Sequence, residues 1–278
     1  MIYRNKNIIF SLILIVLIFL IIASTALFVL MLVLDWEEFF AIPRISHIWW
    51  FMYEDYTPVY TDYIWNTGIL LSSLILLLIS FLILKNIHNR TGLPEILFFI
   101  FFIMTISFEC LRPFLLLTNI FNLPVYVSIL ISRIIYFLRF FGLFLLLFTS
   151  LYILEIKYHK YGVLLIITAL LSITFAYVLP IDSSVLLTNH LYKIGNEISF
   201  SFTSIAIQIV CLINLIIAYL RKKQKRIIYL TIAVFLVILG RELLIFNILN
   251  ILNFAGFVFL FCGLIILFKN IGKVYLWT

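Results

Sequence analysis

The sequence predicts an all-α fold, a polytopic transmembrane bundle of eight helical spans, on three observations. The 278 residues are 65% hydrophobic and only 11% charged, where soluble domains run about 45–50% and about 25%. The apolar residues fall in runs of about 20, the length a helix needs to cross a hydrocarbon layer of roughly 30 Å. Lys and Arg, finally, crowd alternate loops, as they do in membrane proteins of fixed orientation. Nineteen basic and twelve acidic residues cannot solvate a soluble globule with so much apolar area. A soluble enzyme, a nucleic-acid-binding domain and a disordered segment are thereby excluded.

The spans fall at residues 8–34, 68–84, 94–117, 124–154, 161–179, 198–220, 227–246 and 251–268, in one integral-membrane domain over 1–278. The first follows Arg4 and Lys6 and contains Ala23 and Ala26, as a signal peptide would, but its apolar run continues to Leu34. That is too long for a signal segment, and it reads as an uncleaved span. An outer loop, 35–67, then interleaves Trp36, Trp49, Trp50, Tyr53, Tyr56, Tyr60, Tyr63 and Trp65 with acids, the composition of an interfacial aromatic belt or, alternatively, of a ligand-capping lid. The third span contains Glu109, Arg112 and Pro113. Proline lacks the N–H that the Glu109 carbonyl would accept, so this span bends. The fourth places Arg133, Tyr136 and Arg139 three residues apart, sweeping about a third of the helix circumference with donors.

A second outer loop, 180–197, precedes the sixth span, which ends on the basic run Arg221 to Arg226. Such a run fixes topology and meets anionic lipid at the inner leaflet. The seventh span carries Arg241 and Glu242. Phe108-Glu109-Cys110-Leu111 and Arg241-Glu242-Leu243-Leu244 each lie in the third span of a four-span half, which suggests a 4+4 parallel repeat.

Thirteen basic residues fall in the loops of one side (Arg4, Lys6, Lys85, Arg90, Lys157, Lys160, Arg221, Lys222, Lys223, Lys225, Arg226, Lys269 and Lys273). Only Arg44 and Lys193 fall on the other. The positive-inside rule makes both termini cytoplasmic, in a multi-pass protein of the plasma (inner) membrane. The Asn89-Arg90-Thr91 sequon is then cytoplasmic and silent.

Four Arg (112, 133, 139 and 241) and two Glu (109 and 242) remain inside spans. Each costs at least roughly 2.5 kcal/mol at membrane depth, so together they need partners, water or a function. Helix rise puts five of them roughly 6 to 10 Å to the outer side of the midplane, with Arg139 near the middle. Glu109 and Arg112 share a helix face and can pair, whereas Arg241 and Glu242, about 100° apart, need partners on other helices. A purely structural reading pairs Glu109 with Arg112 or Arg133, and Glu242 with Arg241 or Arg133. Its difficulty is a surplus of two positive charges, which an outward cavity accepting an anion would satisfy.

The expected site is therefore Glu109, Arg112, Arg133, Tyr136, Arg139, Arg241 and Glu242. The expected function is binding or transport of a small anion or an anionic lipid headgroup, whose carboxylate or phosphate an Arg fork matches. A membrane-embedded transferase or hydrolase needs a nucleophile or base as well, and Cys110 and Glu242 are the candidates. An intramembrane Cys followed by Arg resembles the exosortase and archaeosortase membrane transpeptidases over a handful of residues. That resemblance implies Cys110 working with Arg133 or Arg139 at the outer face. The chain departs from the pattern in the Leu111-Arg112-Pro113 that follows the cysteine and in the cytoplasmic placement of His159. A third alternative is a structural subunit whose charges only join helices. Cys110, Cys211 and Cys262 have no CxxC partner, and His47, His88, His159 and His190 are scattered over loops on both sides. No metal site and no cofactor are expected.

Overall fold

The computed structural model describes residues 2–33, 60–121, 123–154, 161–186, 190–195, 197–246 and 250–275. Trp36, Trp49, Trp50, Tyr53 and Tyr56 of the expected belt lie outside them, as do His47 and His159. The described chain is nearly all helical: α1 (Ile2–Val33), α2 (Tyr60–Thr91), α3 (Pro94–Glu109), α4 (Phe114–Ile120), α5 (Val125–Ile153), α6 (Tyr161–Val178), α7 (Glu197–Lys222), α8 (Lys225–Phe246) and α9 (Asn250–Tyr275). Strands β1 (Ile181–Leu186) and β2 (Tyr192–Ile194) form a hairpin between α6 and α7. Among the described residues seven helical segments are long and apolar enough to cross a membrane, α3 and α4 counting as one. The fifth expected span, α6, is a shorter apolar helix, whose 18 residues reach roughly 27 Å.

Local chemistry sets the ends. The second span extends ahead of its apolar run: α2 already includes Tyr60, and Asp62 lies near its described start, where a carboxylate complements the helix dipole. It closes at Gly92, whose φ of +67° lets its N–H reach the His88 carbonyl at 2.7 Å, the left-handed stop that glycine adopts freely. Pro94 opens α3, where its missing N–H costs nothing.

Helix neighbours close a ring: α3 on α5, α5 on α7, α7 on α8, α8 on α9, α9 on α2, and α2 on α3. Outside it, α1 packs on α2 and α6 on α5. The tightest seam joins α8 to α9. A Cβ added to Gly240 would lie 2.6 Å from the Leu260 nitrogen, and one on Gly263 would lie 2.8 Å from Val237 Cγ2, so the backbones touch through small residues as membrane helices commonly do.

The apolar core is in two parts. One gathers Phe98, Phe99, Phe102, Leu145, Leu215 and Val234 with their neighbours. The other, at the hairpin end, gathers Leu115, Phe140, Leu143, Tyr192, Phe200 and Ile245. They part between Cys110 and Leu115 on the third span and between Leu244 and Ile245 on α8. The buried Glu109, Arg112, Arg139 and Arg241 sit at this seam.

Candidate functional site

Pro113 does more than bend the third span. It breaks it. Residues 110–113 form a turn between α3 and α4, in which Phe114 N–H donates to Leu111 O at 2.9 Å and Leu115 N–H to Arg112 O at 2.9 Å. The Glu109 carbonyl, deprived of its helical donor, accepts instead from the Arg112 N–H at 3.3 Å and from Arg112 Nε at 3.0 Å. Arg112 NH1 then reaches across to the Leu244 carbonyl of α8 at 3.1 Å. The expected pairing of Glu109 with Arg112 does not form, because the shared helix face it required ends at Glu109.

Glu109 is held by α8 instead. Arg241 donates through Nε to Oε2 at 3.2 Å and through NH2 to Oε1, a bidentate fork. NH2 also donates to the Arg139 carbonyl at 3.0 Å, and the guanidinium carbon stands 5.4 Å from the centre of the Phe102 ring. Gly142 makes room for it: a Cβ there would lie 3.1 Å from Arg241 NH2.

Glu242, the next residue, faces the other way. One oxygen accepts from Arg139 NH2 and the other from Gln208 Nε2. Arg139 also donates to Ser204 Oγ at 3.5 Å and lies 5.3 Å over Phe200. The pairings Glu109 to Arg133 and Glu242 to Arg241 or Arg133 are thus replaced by Glu109 to Arg241 and Glu242 to Arg139. Adjacent positions on α8 point about 100° apart, so one carries its charge to α3 and the other to α5 and α7.

The remaining expected residues separate. Tyr136 donates to the Tyr192 carbonyl at 3.2 Å and meets Phe200 edge-on, so it joins the hairpin to α5. Arg133 turns outward, its guanidinium 5.0 Å from the Tyr177 ring on α6. Cys110 is buried with its sulfur 3.4 Å from Ser73 Oγ on α2, away from Glu242, so the two enzyme candidates are not brought together. A cleft of about 460 Å³ lined by Phe28, Trp65, Gly68, Ser72, Phe254 and Phe257 holds none of the arginines.

Three contributors carried no obvious signal in the sequence. Ser204 and Gln208 lie one turn apart in the stripe of buried positions on α7 that runs through Phe200, Cys211 and Leu215, and that periodicity could have marked them. His190 is the third. The hairpin tucks it wholly inside the bundle at a left-handed φ of +61°. Thr67 donates to the Tyr63 carbonyl at 2.8 Å, which leaves its oxygen to accept from His190 Nε2 at 3.1 Å. Nδ1 has no hydrogen-bond partner among the described residues. Burial, and then the charge of Arg112, push the imidazole down to about 3 from 6.5, against a weaker opposing pull from the Tyr63 backbone, so it is neutral at pH 7.

Around α8 the cluster holds three guanidiniums and two carboxylates, a net charge of one positive. Arg112 carries the excess: it is buried, bound to two backbone carbonyls, and paired with no carboxylate among the described residues. Comparison with known proteins finds no family model, no curated protein and no solved structure that matches the chain.

Proposed function

We propose that this chain is an eight-span plasma-membrane protein, with α6 as the short fifth span and both termini in the cytoplasm, that binds or transports a small anion or an anionic lipid headgroup at the Arg112 end of the cluster. One observation carries the reading: a buried guanidinium that donates to two backbone carbonyls and forms no salt bridge among the described residues. Isolated charge in a low dielectric is expensive, and an anion is its natural complement. A planar fork favours carboxylate or phosphate as the guest. Arg139 and Arg241 are already engaged by Glu242 and Glu109 and support the site by holding α3, α5 and α8 in place.

Thermal unfolding of the detergent-purified chain tests this, with inorganic phosphate, acetate and a short-chain phosphatidic acid as probes. Wild type is expected to gain several degrees with at least one of them, and Arg112→Gln to lose that gain. Equal gains in both proteins, or none in wild type, reject the reading.

A second reading has its own support. Both oxygens of Glu109 and both of Glu242 are occupied, as in a cluster whose work is to join helices. It predicts no anion response and a large loss of stability when either pair is broken.

A further inference from the structure

Arg133 stands apart from the other intramembrane arginines. It lies on α5 facing α6, among Leu130, Ile134, Tyr177 and Val178, which expose 56%, 49%, 70% and 78% of their surface. Exposed apolar side chains on a membrane helix face lipid. The guanidinium has a ring beneath it, no described carboxylate beside it, and a buried Nε with no hydrogen-bond partner among the described residues. A cation on a lipid-facing surface is tolerated where it reaches the headgroups.

The geometry allows that reach. The 29 residues of α5 extend roughly 43 Å, so a centred helix overshoots a hydrocarbon layer of roughly 30 Å by about 6 Å at each end. Arg133 lies eight residues from Val125, about 12 Å along the axis, hence about 6 Å inside the boundary. An extended Arg side chain covers that distance.

We propose that Arg133, backed by Tyr177, binds the phosphate of an anionic phospholipid in the leaflet at the hairpin end. The phosphate diester offers two oxygens to the fork, and its charge complements a guanidinium that has no ion partner in the described chain. A zwitterionic lipid would bring its own cation to the same place and bind more weakly. This site is separate from the Arg112 cluster and does not depend on what that cluster does.

Native mass spectrometry of the full chain released from detergent, with added phosphatidylglycerol, reads it directly. Wild type is expected to retain one more phosphatidylglycerol than Arg133→Gln, or to hold it about tenfold more tightly. Tyr177→Leu, which spares the hydrogen-bonding group, is expected to weaken retention about threefold, and it carries the test if Arg133→Gln does not fold. Phosphatidylcholine is expected to bind less tightly than phosphatidylglycerol, and inorganic phosphate not to compete. Equal phosphatidylglycerol retention in wild type and the variants overturns the proposal, as does phosphatidylcholine binding as tight as phosphatidylglycerol binding, or displacement by phosphate alone.

Discussion

Arg241–Glu109 and Arg139–Glu242 share helix α8 and the same chemistry, yet their surroundings differ. Both side chains of the first pair are 2% exposed, while Glu242 of the second is 15% exposed and shares its charge with the neutral amide of Gln208. A sealed pair holds only as long as both members stay, because removing one strands the other in a low dielectric. The partly open pair has a neutral donor and some solvent access to absorb a change. The first pair therefore acts as the fastener of the bundle, and the second as its more tolerant edge.

The largest expected effect tests that difference head on. Glu109→Gln should destabilise the detergent-solubilised protein by about 3–5 kcal/mol, the cost of an uncompensated buried charge, and Glu242→Gln by clearly less. Comparable losses would erase the distinction. A smaller effect, on the sealed pair alone, comes from Gly142→Ala. The added methyl crowds Arg241 NH2 and Thr105 Oγ1, and overpacking of this kind costs about 1–3 kcal/mol. A second substitution of Glu109→Gln on that background should then cost less than it does alone. Additive losses would place the strain elsewhere.

The smallest effect concerns His190, which burial and then the charge of Arg112 keep from protonating. His190 binds protons less readily folded than unfolded, so between pH 6.5 and about 3 the unfolded chain takes up the extra proton. Stability tied to this group is complete above pH 6.5 and falls as the pH drops through that window, by about 1.4 kcal/mol per unit. At pH 5.5 wild type should have lost about that much more than His190→Gln has, relative to each protein at pH 7.5. Matching pH profiles would mean that the imidazole is not held neutral beneath the hairpin.

Much of the fold is legible in the run lengths, since a span is a local property and the hydrocarbon thickness fixes it. The apolar helices begin and end within a few residues of the apolar runs except at Ile2, Tyr60, Thr91 and Tyr275, where polar residues that look like loop continue a helix by six to eight residues. The six charges inside apolar runs are legible because nothing in their own span excuses them. Their partners are not. A rule for positions three apart presumes a continuous helix, and Pro113 ends that helix between Glu109 and Arg112. Choosing between Arg112, Arg133 and Arg241 for Glu109 requires knowing which helices are neighbours, a long-range property. The hairpin escapes for another reason: Tyr192, Lys193 and Ile194 alternate in burial, but three residues are too few to establish a period. His190, one turn of chain away, inherits its burial from that hidden strand.

The glycine contacts of α8 and α9 limit how the cluster can rearrange. With Gly240 backbone to backbone against Gly256 and Leu260, the two helices have no slack to slide or twist past each other and behave as a single plank. Any motion that pulls Arg241 from Glu109 must therefore carry α9 along and work against its seat on α2. Repartnering of Glu242 can be left to side chains on α5 and α7. If the protein has an open state, its hinge lies on the α5–α7 side of the ring, where α8 meets α7 and not α9.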